Sequence, residues 1–469
     1  MAARPRPCCE ATARDNRRLR QETRRLREEN ARLKDLLEQA RRAGKRQAAP
    51  FSKGAPKAQP RRPGRRPGAD YGRAAHRGVP KHIDEIVPVP LPPRCPHCGA
   101  AGVEPLRIAP QYHAELPPVR PHVTRFDVAI GRCRHCRRRV QGRHPRQSSD
   151  ALGAAASQLG PRALALAADL NKGLGLSFGK VRRLFQTFFG LSVSRAGVCR
   201  ALHRVARVAA PTYGAFRGWI RHRAPVVTAD ETGWKVGGRL QWLWVFTTAR
   251  VTIYAIQPGR GFDDAAQILG ADFAGTLVRD GWGPYRRFQH ALHQTCLGHL
   301  LRRCHENLET AVGGTARFPQ AVKALLQDAL ALRDRHARDE ISPHGLAVAR
   351  GRLEARCDRL LAWKPTDEDN RKLAAHLVRE GDALFTFLYR PAVPATNWAG
   401  EQAIRPAVVI RKVCGGTRTW PGAHTQEVIA SVLRTCHQQG RDFYGLLVRL
   451  LCAPKPRAAV ELLPSARSP

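Results

Sequence analysis

Hydrophobic and polar positions change their period several times along this chain, and each change marks an expected element. The run Val226-Val227-Thr228-Ala229, inside VVTADETGWK, has the composition of a buried strand and places Asp230 at its end. Two strand-like runs follow, LQWLWVFTT (Leu240 to Thr248) and VTIYAIQ (Val251 to Gln257). The stretch GFDDAAQILG then takes helical spacing, with Asp263 and Asp264 in a first turn where the helix dipole favours acids. A short apolar run, GTLVRD, ends at Asp280, and ALHQTCLGHLLRRCHENL passes from strand into helix. The order β-β-β-α-β-α-β is that of a ribonuclease-H-like α/β core, in which the first and fourth strands are neighbours. Residues 281–396 are largely helical, so a catalytic domain at 220–430 is expected to carry a helical insertion at about 305–390. Residues 431–469 are expected to form a C-terminal helical segment and tail.

Upstream the patterns differ. From about residue 14 to 43 the chain is rich in Arg, Glu and Leu and lacks Gly and Pro until its end. Leu19, Leu26 and Leu33 recur every seven residues and occupy heptad d positions, with Asn16, Thr23, Asn30 and Leu37 at a. Asparagine at a costs stability but favours a parallel pair, so residues 1–45 are expected to form a short coiled coil that makes a homo-oligomer. Periodicity vanishes over 46–80, where Pro, Gly and Arg dominate, as in an extended linker. Its doublets Arg61-Arg62 and Arg65-Arg66 suit a phosphate backbone equally well as a merely soluble spacer. Residues 150–215 return to helical spacing. SFGKVRRLFQTFFGLSVSRAGVCRALHRV reads as helix, turn at Gly190, N-cap near Ser194 and second helix, a helix-turn-helix outline offering Arg195, Arg200 and His203 to DNA.

Charge sharpens this picture. The chain has 80 Lys plus Arg against 38 Asp plus Glu, a formal net charge of +42 and a pI near 11.2. Such an excess releases counterions from phosphates, making nucleic acid the first partner to consider. No apolar run reaches the ~18 residues of a membrane span, and the N-terminus lacks a signal-peptide core, so a cytoplasmic, nucleoid-associated protein without membrane contact is expected. Of the 13 cysteines, Cys95 and Cys98 lie in RCPHCG, and Cys133 and Cys136 in GRCRHCRRR. Two Cys-x-x-Cys knuckles can present four thiolates to a structural Zn²⁺, which predicts a zinc ribbon over 81–145. The intervening residues alternate as strands do. His97 and His135 are then loop residues, since the thiolates already complete a four-coordinate site.

The candidate chemistry lies in the acids. If the first and fourth strands are neighbours, Asp230 and Asp280 stand side by side, and paired carboxylates with oxygen donors suit Mg²⁺ or Mn²⁺. Read alone, Asp230 could equally be a turn former. A third acid is Glu401 in NWAGEQAIRPAVVIRK, with Arg405 one helical turn on and able to touch a phosphate, although Pro406 implies a kinked or restarted helix. Cys296, His299 and Cys304 fit no common metal spacing; His299 and Arg302 suit a phosphate better. Glu231 points elsewhere if the strand continues.

ADETGW, RDGWGPY followed by CLGHLLRR, and NWAGEQAIRPAVVIRK closely resemble the three acid-bearing blocks of insertion-sequence-66 family transposases. The order of segments is similar as well, from about residue 15 to 450. The resemblance implies a DDE transposase with Asp230, Asp280 and Glu401 as metal ligands, acting on transposon ends and target DNA with accessory proteins of the same element as possible partners. Two departures concern the third block. Trp398 follows Asn397 where the family often has a second asparagine, and Val413 stands where many members carry asparagine. Two rival readings remain: a ribonuclease-H-like nuclease without strand transfer, and a non-enzymatic DNA-binding regulator.

Overall fold

The structure is a computed structural model that describes residues 15, 18–30, 32–33, 79–147, 150, 152 and 158–464. The chain divides into two units, residues 1–116 and 117–469.

In the first unit, residues 18–30 are helical, and Leu19, Leu26 and Leu33 are all more than half exposed. The other expected heptad residues Asn16 and Leu37 lie outside the described residues, as does the linker up to residue 78. The first cysteine knuckle is a tight turn in which the Cys95 N–H donates to Ala100 O and the Gly99 N–H to Cys95 O.

The second unit begins with a knuckle of the same form. Strands β1 (Ile130–Arg132) and β2 (Arg139–Gln141) pair antiparallel, the Cys133 N–H donates to Arg138 O, and the Arg137 N–H donates to Cys133 O. The fifth residue of each turn is left-handed, Gly99 at φ 74° and Arg137 at φ 60°. The strands expected between the knuckles are absent from residues 102–129. Pro105, Pro110, Pro117, Pro118 and Pro121 interrupt that stretch, and proline donates no ladder hydrogen bond.

Helices α1 (Pro161–Ala168), α2 (Phe178–Phe189) and α3 (Arg195–Arg223) follow. Ser177 caps α2 by accepting the Lys180 N–H, Gly190 ends it at φ 62°, and Ser194 caps α3 through the Gly197 N–H. The second helix of the expected helix-turn-helix is thus 29 residues long. Its face Val198, Leu202, Val205, Ala209, Phe216 and Ile220 is buried in one cluster with the central sheet and the last two helices. The helical segment therefore shares its core with the sheet.

That sheet has the order β5-β4-β3-β6-β7. Strands β3 (Val226–Val236), β4 (Arg239–Thr247) and β5 (Thr252–Gln257) are antiparallel neighbours, while β6 (Thr276–Arg279) and β7 (Leu292–Thr295) add in parallel on the other side of β3. Helix α4 (Phe262–Leu269) connects β5 to β6. Asp230 does not end its strand, as expected from the sequence, but lies in the middle of it. The cause is Gly237-Gly238, at φ 59° and 82°, which forms a two-residue hairpin loop and lets β4 pair with β3 as far as Val236.

Past β7 comes the helical insertion: α5 (Leu297–Thr310), α6 (Arg317–Ala337), α7 (Pro343–Leu361), α8 (Glu368–Glu380) and α9 (Thr386–Tyr389), with a core of its own around Leu300, Val322, Leu326 and Leu373. Helix α10 (Trp398–Cys414) returns to the sheet and continues through Pro406, so it does not restart there. Burial of Ala403, Ile404, Ala407 and Ile410 against Trp234, Leu243 and Val245 favours its continuation past the missing N–H.

The last helices are α11 (Trp420–Gln438) and α12 (Phe443–Cys452). Helix α11 closes the open edge of β5 with polar side chains. Glu427, Ser431 and Thr435 accept the backbone N–H groups of Ile256, Tyr254 and Thr252 at 2.6, 2.9 and 3.1 Å. Four helical residues rise about 6 Å and two strand residues about 6.8 Å, so each turn of α11 meets the next outward N–H of β5. An edge that would otherwise offer unpaired donors is thereby covered.

Candidate active site

The register of the parallel pair places the first two acids. Val226, Val227 and Thr228 of β3 stand opposite Thr276, Leu277 and Val278 of β6, a constant offset of 50, so Asp230 is level with Asp280 just beyond the last pair. Both belong to the even-numbered face of their strands, the face that carries Trp234 and receives α10. Helix α10 comes very close at its first turn. A Cβ on Gly400 would lie 3.2 Å from both Asp230 Cβ and Thr228 Cγ2, and 2.5 Å from Asn397 Oδ1, so only glycine permits this approach. The next residue is Glu401. Gly400 was missed in the sequence, although a glycine in the first turn of a helix, just before an acid, is a legible sign of close backbone approach.

The electrostatics agree with a gathering of negative charge. Burial, and then the charges of Glu231, Asp280 and Glu401, push the Asp230 carboxyl up to about 7, although the Glu231 N–H donates to its Oδ1 at 2.9 Å. Asp280 Oδ1 accepts the Trp282 N–H at 2.9 Å. His299 Nε2 lies 3.8 Å from Glu401 Oε1. The Cys296 thiol, followed by the charges of Asp280 and Glu401, holds the His299 imidazole above its usual range against the opposing effect of burial. Burial alone would raise Cys296, but His299 and the Asn397 N–H outweigh it and lower the thiol. Asn397 itself is 1% exposed, and neither atom of its side-chain amide has a hydrogen-bond partner.

Glu231 occupies the other face of β3. It is buried, accepts from Arg260 Nε at 2.7 Å and from the Tyr285 hydroxyl, and so is far from the bland neighbour that its sequence position suggested. The expected phosphate-facing residues are dispersed. Arg302 and Arg405 are exposed on α5 and α10, whereas Arg195 and Arg200 are exposed at the start of α3. His203 instead hydrogen-bonds Thr425 of α11 at 2.7 Å and is half-buried, because α3 packs there against α11.

Among the described residues, no group of three or more His, Cys, Asp or Glu side chains is already assembled to hold a metal ion. The donor chemistry of Asp230, Asp280 and Glu401 nonetheless fits a hard divalent cation, and burial together with the neighbouring acids is what raises Asp230. In the knuckles, backbone N–H groups lower both leading thiols: those of His97 and Cys98 act on Cys95, and those of Cys136 and His135 on Cys133. Amides aimed at sulfur favour the thiolate that a metal would need.

The sequence profile of the Transposase IS66 family matches residues 156–425, which is 270 of 469 residues. The chain belongs to that family. The matched segment runs from just before α1 into α11, so it contains Asp230, Asp280, Glu401, Cys296 and His299 and leaves the cysteine knuckles outside. This IS66-family chain is also similar to two curated proteins of Sinorhizobium fredii (strain NBRC 101917 / NGR234). It is 30% identical to uncharacterized protein y4jO over 172 residues, 36% of this chain and 50% of that protein. It is 24% identical to uncharacterized protein y4qI over 231 residues, 43% of this chain and 41% of that protein. The aligned region thus spans about half the length of the curated relatives or less. No described helix is long and apolar enough to cross a membrane.

Proposed function

We propose that this IS66-family protein is a DDE transposase that binds the terminal repeats of its element, hydrolyses the phosphodiester at their ends and transfers the resulting 3′ ends to target DNA. The observation that carries the proposal is the level placement of Asp230 and Asp280 on adjacent parallel strands, with Glu401 delivered by the approach of Gly400. The strand order, three antiparallel strands followed by two parallel ones, supports a ribonuclease-H-like core. Asp230, Asp280 and Glu401 would hold Mg²⁺ or Mn²⁺. A bound pair of such cations supplies an acidified water for attack and charge stabilisation for the leaving oxygen. The protein's own part is orientation: β3 and β6 fix two carboxylates at one level, α10 adds the third, and His299 places an imidazole beside Glu401. Arg302 and Arg405 would contact the DNA end, and Arg195 and Arg200 its flanking phosphates. The knuckles at Cys95, Cys98, Cys133 and Cys136 would bind structural Zn²⁺, and the exposed leucines of the N-terminal helix would pair two copies of the chain.

The experiment is cleavage of a labelled duplex carrying the element's terminal inverted repeat. Asp280→Asn and Glu401→Gln should bind this duplex as the native chain does and form almost no 3′-hydroxyl, with Mn²⁺ replacing Mg²⁺ and Ca²⁺ supporting binding only. Robust Mg²⁺-dependent nicking by either variant would refute the site. Nicking without joined products in the native chain would leave a nuclease.

A further inference from the structure

The segment after Asp280 turns back at once, closing in a short 3₁₀ turn at Gly283–Arg287, and two carboxylates take hold of it. Both side chains are essentially without solvent contact, Glu231 at 1% exposure and Glu380 at 0%. Burying acids this completely costs several kcal/mol unless their partners are in place, on the order of 3–5 kcal/mol when one partner is lost. Here every partner belongs to the loop or leads to it.

From β3, Glu231 reaches the loop by two routes. The Tyr285 hydroxyl donates to it directly. Its other partner, Arg260, lays its guanidinium 4.0 Å over the Trp282 ring and 4.8 Å over that of Trp242. The Trp282 indole N–H donates back to the Arg260 carbonyl at 3.2 Å, and the Trp282 backbone N–H donates to Asp280 Oδ1 at 2.9 Å. From α8, in the helical insertion, Glu380 accepts from Arg279 and, at 2.8 Å, from Arg286. Arg279 also donates to the Asp280 carbonyl at 3.1 Å, and Arg286 to the Gly281 carbonyl at 3.3 Å. Gly281 completes the seal, since a Cβ there would lie 2.3 Å from His376 Cε1 of α8.

We infer that Glu231 and Glu380 are positioning residues that clamp the loop from Asp280 to Arg287 and thereby hold the Asp280 carboxylate level with Asp230. The helical insertion is then part of the active site through α8, although it supplies none of the three acids. This inference rests on Asp280 being a metal ligand, as proposed above.

The test separates positioning from stability and from that underlying proposal. Glu231→Gln and Glu380→Gln keep shape and lose charge. Mn²⁺ alone, titrated into the full-length chain without DNA and followed by electron paramagnetic resonance, should bind about tenfold more weakly to each variant, as when an outer partner of a metal ligand is lost. On the terminal-repeat duplex, kcat should fall about a hundredfold, the scale of a misplacement near 1 Å, while KM for DNA stays at its native value. If the glutamine variants do not fold, Tyr285→Phe and Arg286→Gln carry the test, because each removes one tie at the loop end and leaves the buried acid its other partner. Native Mn²⁺ affinity and native kcat in folded variants would overturn the inference, as would equal losses of kcat and DNA affinity. A native chain that neither binds Mn²⁺ nor cleaves DNA would instead overturn the metal-ligand role of Asp280 on which the inference stands.

Discussion

Asp230→Asn should stabilise the metal-free protein at alkaline pH, although the same change is expected to abolish cleavage. Burial and the neighbouring Glu231, Asp280 and Glu401 raise the folded Asp230 from 3.8 to about 7. The unfolded chain loses this proton near pH 4, whereas the folded chain keeps it until about pH 7. Between those values the folded state binds more protons than the unfolded one, so stability falls as pH rises. At about 1.4 kcal/mol per pH unit the full effect is about 4 kcal/mol above pH 7, and close to zero below pH 4. Asparagine has the same shape but no charge. It is a weaker acceptor for the Glu231 N–H, which returns about 1 kcal/mol, and residual solvent around a partly exposed group lowers the gain further, to about 2 kcal/mol. Thermal melts at pH 8 in chelator should therefore place the variant a few degrees above the native chain. The advantage should shrink as pH is lowered towards 4.5, and 10-fold excess Mg²⁺ over its half-saturating concentration should remove most of it by stabilising only the native site, by about 1.4 kcal/mol. A variant less stable than the native chain at pH 8, or an advantage that does not vary with pH, would refute the claim that uncompensated charge resides at Asp230.

Two further outcomes test the frame around the site. Ser431→Ala leaves the buried Tyr254 N–H on the β5 edge without its acceptor and should cost about 1–3 kcal/mol in denaturant unfolding, whereas a change below about 0.5 kcal/mol would mean that α11 does not satisfy this edge. Cys133→Ser should release zinc from purified protein that otherwise holds about one ion per chain, measured by atomic absorption; retention of stoichiometric zinc would remove these knuckles as its ligands.

The sequence by itself determined what depends on near neighbours. Alternation and apolar runs located β4 to β7 within a residue or two, because side-chain period is a local property of the backbone. Gly190 and Ser194 were legible as helix ends for the same reason, since a cap bonds within its own turn. The acids at 230, 280 and 401 could be singled out by residue type and block resemblance. Their common level on the sheet required the β3–β6 register, which joins residues 50 apart. The extension of β3 past Asp230 was missed, although Gly237-Gly238 was in view as a hairpin signal. Only the tertiary structure decided the rest. Glu231 seemed incidental until Arg260 and Tyr285 closed on it from 29 and 54 residues away, and Glu380 bears no local mark of its hold on Arg279, 101 residues earlier. The polar stripe of α11 is likewise explained by an edge strand more than 170 residues before it. A buried polar group takes its meaning from the partner that compensates its lost water, and that partner is chosen by packing, which no local periodicity encodes.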